Sequence, residues 1–334
     1  MAKLGIGVVG LDHWYTAFAV LAEASKGRRL KLVGVSDPSR ERLEEVKRSH
    51  SAGYVTTNSR KVSADPEVQL VCSLGNTRDN VKVVRAALAA GKHVACVKPM
   101  AMNLRQADEM IALAERQGCV LWSFDQLGRM RAAALRAIIK RGLIGQPISF
   151  HQTAWSGLPL PWPGRTGTSW WIDARLAPFG AWADHAIYTI DMLRALFDAE
   201  VVRVHGEIAN KRYPKLSVED YGVGTLEFSN GVVAVLEHTW TGGPYYPSWT
   251  KIAGTHGVIH TESAAFGDKT MLVTAKGAKP LKLGGARGGG MLAAVLDFIA
   301  KGQANPSPAR ESRTNLAATF AVYRAAKTGR YVTL

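Results

Sequence analysis

The first 125 residues alternate short runs of β-branched and aliphatic residues with longer amphipathic segments, and no other feature of the sequence constrains the fold as strongly. The short runs lie at 4–9, 30–35, 54–55, 69–73, 93–97 and 120–124. The amphipathic segments 81–90 and 104–117 have apolar residues at helical spacing and stop at Gly91 and Gly118, which suit the left-handed conformation that ends helices. Strands that alternate with helices form a parallel sheet, so residues 1–125 are predicted to be a doubly wound α/β domain.

The pattern changes after a predicted connecting helix at 127–141. From Gly142 onward, apolar and polar residues alternate with period two, which is typical of half-buried strands, and Ser229-Asn230-Gly231 has the composition of a hairpin turn. Residues 142–334 are therefore predicted to form an α+β domain with an open, mainly antiparallel sheet, and the glycine-rich stretch 284–290 is interpreted as a connection. The predicted strands are 147–153, 201–208, 221–228, 232–239 and 250–259, and the predicted helices are 180–197, 291–300 and 311–327.

Composition excludes several classes of protein. The net charge of +15 is scattered without a run of five like charges, which favours a solvated surface over a nucleic-acid interface. No apolar run is long enough to span a bilayer, and the N-terminus lacks the apolar core of a signal peptide, so a cytoplasmic protein is expected. The three widely spaced cysteines are interpreted as buried thiols, and the histidines lack the spacing of a zinc site, so we predict no metal.

A glycine-containing turn follows the first strand. The literal G-x-G-x-x-G match at Gly5, Gly7 and Gly10 is out of register, because Gly5 and Gly7 lie inside the strand. A dinucleotide-binding turn lies where strand becomes helix, so its first glycine is Gly10, and Asp12 and Tyr15 stand where the other two glycines would be. Asp12 should weaken binding of a diphosphate unless its carboxylate turns away to cap the next helix. The turn residues expected to contact a cofactor are Gly10, Leu11, Asp12 and His13.

Asp37 ends the second strand and bears on the choice of cofactor. An acidic residue there can accept both ribose hydroxyls of an adenosine and repel a 2′-phosphate, which favours NAD over NADP. Two alternatives remain open. The sequence Asp37-Pro38-Ser39 also suits a plain helix start, and the nearby Arg40 could bind a phosphate.

The segment 86–99, AALAAGKHVACVKP, resembles the Gfo/Idh/MocA family of NAD(P)-dependent oxidoreductases, which typically has A-L-x-x-G-K-H-V-x-x-E-K-P here. The likeness continues through Gly142-x-Ile144-Gly145, the helix at 180–197 and the closing residues 328–332, and so covers essentially the whole chain. The resemblance implies an N-terminal Rossmann domain and a C-terminal α+β domain whose open sheet forms homodimers or homotetramers.

The resemblance implies roles for two single residues. Lys98 matches the family lysine that contacts the nicotinamide ribose and the substrate hydroxyl and takes part in acid–base chemistry. A lysine at the carboxyl end of a parallel strand also faces the ligand crevice of a doubly wound sheet. Asn76 matches the asparagine of P-N-x-x-H, which implies a position beside the ribose or diphosphate of the cofactor. The family glutamate is Val97 here, and the family histidine is Asp79.

The second catalytic element of the family is D-x-G-x-H-x-x-D, on one face of a helix. Alignment by the two aspartates places Asp184 and Asp191 on this pattern and puts Tyr188 where the family has its catalytic histidine. Tyrosine can exchange a proton, but it needs a neighbouring cation such as Lys98 to lower its pKa. His185, which directly follows Asp184, is the rival. The resemblance therefore implies Asp184 as a site residue, with Tyr188 and His185 as alternative proton partners.

Seven of the nine tryptophans lie between 155 and 249, and the loop 155–171 places four of them among prolines and glycines. Indole faces with interspersed polar groups suit sugar rings, although a stiff loop that packs its own tryptophans is an equal alternative. The candidate substrate contacts are Trp155, Arg165, Trp171 and Asp173.

The leading hypothesis is an NAD-dependent oxidoreductase that moves a hydride between nicotinamide and a carbinol carbon of a sugar-like or cyclic polyol substrate. Two alternatives share the fold. One is a lyase or epimerase that holds its cofactor tightly and shows no net redox change. The other is a non-catalytic regulator that binds a nucleotide or another ligand, which the departures at Asp12, Val97 and Tyr188 would allow.

Overall fold

Six parallel strands form the N-terminal unit, which places its ligand crevice between two of them. The computed structural model describes residues 3–27, 29–177, 179–243, 248–264, 267–283 and 290–334. The elements of this unit are β1 (Leu4–Val9), α1 (Trp14–Lys26), β2 (Leu30–Ser36), α2 (Arg40–Ser49), β3 (Tyr54–Thr56), α3 (Ser59–Ala64), β4 (Leu70–Ser73), α4 (Thr77–Ala89), β5 (His93–Cys96), α5 (Leu104–Arg116) and β6 (Leu121–Ser123). The strand order is β3-β2-β1-β4-β5-β6. Because the winding reverses between β1 and β4, the carboxyl ends of these two strands flank the crevice where such sheets bind ligands. The predicted doubly wound α/β unit is confirmed.

Four helices of this unit begin at a side-chain cap. Ser39, Asn58, Asn76 and Asn103 each accept a backbone N–H from the first turn of α2, α3, α4 and α5, respectively. Helix α1 differs, because its N-cap is His13 and no side chain in the described ranges caps it. The positive end of the α1 dipole is therefore left without a side-chain acceptor.

The C-terminal unit is a nine-stranded sheet covered on one face by helices. Its elements are α6 (Leu127–Lys140), β7 (Pro147–Trp155), α7 (Ala181–Phe197), β8 (Val201–Ala209), β9 (Tyr221–Phe228), β10 (Val233–Thr239), β11 (Ser248–Gly254), β12 (Gly257–Ala264), β13 (Gly267–Thr274), β14 (Gly277–Pro280), α8 (Ala293–Ala300), α9 (Ala309–Thr328) and β15 (Val332–Thr333). The order is β14-β13-β12-β11-β7-β10-β9-β8-β15. The β7–β10 pair is parallel, and the other neighbouring pairs are antiparallel. The predicted open, mainly antiparallel sheet is confirmed.

The prediction of one strand over 250–259 is wrong. Two strands, β11 and β12, pair antiparallel there and turn at Thr255 and His256. Glycines flank the turn at positions 254 and 257, and the prediction of one strand overlooks this turn signal. The next two strands, β13 and β14, were not predicted. Residues 284–289 of the predicted glycine-rich connection lie outside the described residues.

Three helices that follow β7 in the chain also pack on the parallel sheet. Ile187 of α7 and Leu316 of α9 belong to the hydrophobic core on one face of that sheet, and Val295 of α8 belongs to the core on its other face. On their opposite sides, α7 and α9 contribute Trp182 and Val322 to the core of the nine-stranded sheet. Helix α7 is thus fixed between the two sheets, which determines where its first turn lies.

A buried carboxylate joins three of these helices. Asp191 of α7 is fully buried and accepts hydrogen bonds from the backbone N–H and the Nη2 of Arg129, both at 2.7 Å, and from Nδ2 of Asn315 at 2.9 Å. Arg129 belongs to α6 and Asn315 to α9. The second aspartate of the family pattern therefore holds helices together rather than contacting Lys98.

Replacing this carboxylate should destabilise the fold. Asp191→Asn removes a charged acceptor of two guanidinium bonds, so we expect the free energy of unfolding in urea to fall by about 1.5–3 kcal/mol. The matched control is Glu311→Gln, which removes the other carboxylate on Arg129, 3.0 Å from its Nη2 but 45% exposed. That change should cost under about 1 kcal/mol. Equal losses in both variants would contradict the structural role of Asp191.

Candidate active site

Lys98 lies at the carboxyl end of β5 with its side chain fully buried at 1% exposure. Its Nζ forms an ion pair with the carboxylate of Asp184 and donates to the backbone oxygen of Asp184 at 2.5 Å. The Nζ also lies 4.5 Å from the ring centroid of Trp171 and 4.9 Å from that of Tyr188. Two aromatic faces and one carboxylate therefore surround a single ammonium group.

Burial and charge act in opposite directions on this pair. Burial lowers the pKa of Lys98 below its ordinary value, and the charge of Asp184 limits that shift. Burial alone would raise the pKa of Asp184, but the charge of Lys98, its hydrogen bond to the carboxylate and the neighbouring histidines together outweigh burial and hold that pKa well below its usual range. Asp184 is therefore ionised at neutral pH, and Lys98 gives up its proton more readily than an exposed lysine does.

Asp184 also links Lys98 to a histidine. Its Oδ2 lies 3.3 Å from Nε2 of His185 and accepts a hydrogen bond from Nε1 of Trp240 at 3.2 Å. The same Nε2 lies 3.2 Å from the hydroxyl of Ser156. Burial lowers the pKa of His185, although Asp184 opposes this, so the imidazole is neutral near pH 7 and can accept a proton.

A cavity of about 260 Å³ opens beside this cluster, between the two units. Tyr15 of α1 reaches it from the N-terminal unit, and His185 of α7 and Trp240, which follows β10, reach it from the C-terminal unit. A small molecule in this cavity would touch both units and lie against Asp184. The lining residues are Asp12, Trp14, Tyr15, Ser156, Gly157, Pro159, Leu160, Ser169, Trp171, Asp184, His185 and Trp240.

A buried glutamate holds the start of α7, and therefore Asp184, in place. Glu219 accepts the backbone N–H of Gly180 at 2.8 Å and of Trp182 at 3.0 Å, and the hydroxyl of Tyr323 at 2.7 Å. Burial raises the pKa of Glu219 to about 7, although these donors oppose the shift. No local motif marks Glu219, Ser156 or Trp240 in the sequence, and their contacts are with residues distant in the chain, so these three were not predicted.

A second cavity, of about 230 Å³, lies at the carboxyl ends of β1, β2 and β4. The turn beside this cavity requires glycine at position 10. Gly10 has a φ of +81°, and a Cβ on it would lie 2.7 Å from the backbone of Gly75. The lining residues are Val9, Gly10, Asp12, Ser36, Asp37, Pro38, Thr57, Ser59, Ser73, Gly75, Asn76, Asp79, Asn80 and Val83.

The acid at the end of β2 is engaged with the turn. Asp37 is 2% exposed and accepts the N–H of Leu11 at 2.8 Å and the N–H of Ser39 at 2.9 Å. Burial raises its pKa, while these N–H groups and the nearby Arg42 oppose the rise. Asp37 therefore orders the turn as well as facing the cavity. Among the described residues, Arg42 is the cation that lies within 4 Å of Asp37, at 3.7 Å.

Asp12 turns away from α1 without capping it. One of its carboxylate oxygens lies 2.8 Å from Nη1 of Arg42, and the other accepts the backbone N–H of Asn76 at 3.2 Å and its Nδ2 at 3.0 Å. The cap position of α1 falls to His13, whose Nε2 lies 3.1 Å from the hydroxyl of Tyr15. Burial lowers the pKa of His13 to about 3, so this histidine is neutral.

These residues fit a dinucleotide cofactor. The start of α1 has no acidic residue in its first turn and no side-chain cap in the described ranges, so its N–H groups can serve an anion. At Gly10 the backbone of the turn lies so close to the backbone of Gly75 that there is no room for a Cβ. Asp37 stands where ribose hydroxyls are bound in such sheets. The backbone of the turn, Asp37 and Asn76 would together hold such a group.

The aromatic loop lies mainly against the parallel unit. Trp171 contacts Lys98 as described, but Trp155 donates its Nε1 to Glu237 at 3.1 Å. Arg165 pairs with Glu41 of α2, and Asp173 pairs with Arg175 at 2.7 Å. Of the four predicted substrate contacts, the structure thus brings Trp171 to the cluster and gives the other three partners elsewhere.

Two expectations of absence concern membranes and metals. Across the described ranges, no helix is both long and apolar enough to cross a bilayer. In the same ranges, no three side chains of His, Cys, Asp or Glu are grouped so that they could hold a metal ion.

Comparison with known families covers most of the chain. Residues 4–124 match a family model described as "Oxidoreductase family, NAD-binding Rossmann fold", and residues 132–260 match one described as "GFO/IDH/MocA C-terminal domain". The resemblance seen in the sequence is therefore confirmed.

Individual relatives agree with these matches. A 1,5-anhydro-D-fructose reductase from Ensifer adhaerens is 29% identical over 90% of this chain and 90% of its own length. An aldose-aldose oxidoreductase from Caulobacter crescentus, solved with glycerol, has a TM-score of 0.81 at 21% identity and full coverage of both chains. A levoglucosan dehydrogenase solved with NADH and levoglucosan has a TM-score of 0.78 at 20% identity, with 99% of each chain covered.

The two glycines of the cofactor cavity offer a matched test. Gly10→Ala puts a side chain at a positive φ and against backbone, so the free energy of unfolding should fall by about 1–3 kcal/mol. A Cβ on Gly75 would lie 3.9 Å from the nearest heavy atom, so Gly75→Ala should change the free energy of unfolding by under about 0.5 kcal/mol. Urea unfolding of both variants checks this. Equal stability of the two variants would show that the turn at Gly10 is not strained by a side chain.

Proposed function

This chain belongs to the GFO/IDH/MocA family of oxidoreductases, and on that premise we propose that it transfers a hydride between NAD and a carbinol carbon of a sugar-like or cyclic polyol substrate. The observation that carries the proposal is the buried Lys98–Asp184 pair beside a cavity that both units line. The names of the relatives support the substrate class, since 1,5-anhydro-D-fructose and levoglucosan are both anhydro sugars.

Named residues divide the cofactor-binding role. The turn formed by Gly10, Leu11, Asp12 and His13 would lie against the diphosphate at the start of α1, with Asn76 beside it. The N–H groups of Gly10, Leu11 and His13 already donate within the protein, so the donors offered to the diphosphate are those of the first turn of α1. When bound, the nicotinamide ring supplies the acceptor or donor of the hydride. Asp37 supports NAD over NADP, because a carboxylate repels a 2′-phosphate, and the nearby Arg42 is already paired with Asp12.

Proton transfer falls to the Lys98–Asp184–His185 chain. Oxidation of an alcohol releases the hydroxyl proton, which needs a base within hydrogen-bond reach. Lys98 is the proposed contact to the reacting hydroxyl, and Asp184 holds it in place. His185 lines the cavity, is neutral and has its Nε2 3.3 Å from the same carboxylate, so we assign it the role of proton acceptor. Tyr188 places its ring against the ammonium of Lys98.

Oligomer formation and location complete the proposal. The exposed face of the nine-stranded sheet carries Trp249 and Val273, which are 39% and 40% exposed around a shallow apolar hollow. Such a surface supports a homodimer or homotetramer. The three cysteines are buried and not in disulfides within the described residues, which supports a reducing compartment, the cytoplasm.

The first test combines binding with turnover. Purified protein titrated with NADH and NADPH should bind NADH more tightly, and a panel of sugars and cyclic polyols should then reduce NAD. Lys98→Ala should lower kcat by about 10²–10⁴-fold, and Lys98→Arg should keep the charge but still lose most of kcat. Lys82→Ala, on an exposed lysine of α4, is the control and should match the wild type. Unchanged kcat in both Lys98 variants would rule out the proposed chemistry.

A second test distinguishes the two proton partners. His185→Asn should lower kcat for alcohol oxidation by at least about 10²-fold, whereas Tyr188→Phe keeps the ring against Lys98 and should cost under about tenfold. The pKa of His185 lies below its ordinary value of 6.5, so wild-type oxidation should slow as the pH falls through that lower pKa. This acidic limb should vanish in His185→Asn. The opposite pattern, with the larger loss in Tyr188→Phe, would assign the proton to Tyr188.

A further inference from the structure

We propose that Asp12 and Arg42 form an internal charge pair at the place where the cofactor diphosphate binds, so that Asp12 weakens cofactor binding and Arg42 restores it. The inference rests on the proposed use of a nicotinamide dinucleotide. It adds a function to two residues, namely control of how tightly the cofactor is held. A weakly held dinucleotide exchanges after each turnover, which a net dehydrogenase needs and a redox-neutral enzyme does not.

The Asp12 carboxylate lies between the turn after β1 and the start of α4. It follows Gly10 by two residues and accepts both the backbone N–H and the side-chain amide of Asn76, at the start of α4. The N-terminus of a helix attracts anions through its N–H groups and its dipole. In this chain, the Asp12 carboxylate already occupies the start of α4. Asp12 also lines both the cofactor cavity and the substrate cavity, so its charge lies at their junction.

Arg42 supplies the positive charge that compensates Asp12. Nη1 of Arg42 lies 2.8 Å from Asp12 and 3.7 Å from Asp37, so one guanidinium serves two carboxylates. The guanidinium carbon also lies 5.0 Å from the ring centroid of Trp162, which holds the side chain in place. Asp12 and Arg42 are 23% and 25% exposed, so solvent screens their charges only in part.

The charges of these three side chains affect the binding of a diphosphate. Two carboxylates and one guanidinium leave the turn with a net negative charge, which repels the two negative charges of a diphosphate. Removing the charge of Asp12 should therefore tighten binding, and removing that of Arg42 should weaken it. Both effects should act on ligands that carry the diphosphate and not on adenosine, which lacks it.

The experiment compares NADH, ADP and adenosine by calorimetric titration of the full chain. Asp12→Asn keeps the size of the side chain and an acceptor for Asn76, and it should bind NADH and ADP about tenfold more tightly than the wild type. Arg42→Met should bind both about tenfold more weakly. Neither variant should change the affinity for adenosine by more than about twofold. Arg48→Met, an exposed arginine near the end of the same helix, is the control and should leave all three affinities unchanged.

Each outcome decides the matter. Asp12→Gly is the second variant, to be used if thermal unfolding shows that Asp12→Asn is misfolded, and the same tightening is expected. Unchanged NADH and ADP affinities, or an equal gain for adenosine, would overturn the proposal while leaving the proposed function intact if the wild type binds NADH. Absence of NADH binding in the wild type and in both Asp12 variants would overturn both. Binding that emerges only when Asp12 is replaced would support the charge-pair role and contradict the proposed activity of the native chain.

Discussion

The buried ion pair between Lys98 and Asp184 links the parallel sheet to the helix that packs on both sheets. Lys98 follows β5 of the parallel sheet, and Asp184 lies in the first turn of a helix that packs on both sheets. A charged side chain at 1% exposure is tolerated only with a partner, so the two units must keep their relative position for either residue to stay ionised. The substrate cavity, which both units line, follows from that constraint.

Carboxylates placed at helix starts and helix contacts recur through the molecule. Glu219 receives the first N–H groups of α7, and Asp191 joins the same helix to α6 and α9. Asp12 uses the start of α4 in a similar way. Each of these carboxyl groups accepts hydrogen bonds from backbone N–H or guanidinium donors, which offset the cost of its burial. Helix α7 is held at its first turn and along its length, which keeps Asp184 and His185 where a substrate could meet them.

The tryptophans of the loop 155–171 serve largely to pack the loop against the N-terminal unit. Trp162 is 4% exposed, stacks edge-on against Phe18 and donates its Nε1 to Glu45 at 2.7 Å. Trp170 donates to the backbone of Asp12 at 3.0 Å. The loop thereby fastens the second unit onto the turn of the first and covers the junction between the two cavities. Trp171, stacked on Trp170, is the member of the loop that reaches Lys98.

The sequence by itself determined the two sheets and the glycine turn, because these depend on local periodicity and on the backbone needs of Gly10. The family resemblance singled out Lys98 and Asp184 as site residues, but their pairing came from the tertiary structure. The hairpin at Thr255 and His256 was missed although Gly254 and Gly257 flank it, because single glycines also occur inside strands, as Gly222 and Gly224 do in β9. Only the tertiary structure decided that Asp12 pairs with Arg42 and Asn76, that Arg165 faces Glu41 and that Glu219 holds α7. These contacts join residues far apart in the chain, and side-chain chemistry alone does not specify which of several available partners a charged group will meet once the two sheets have packed.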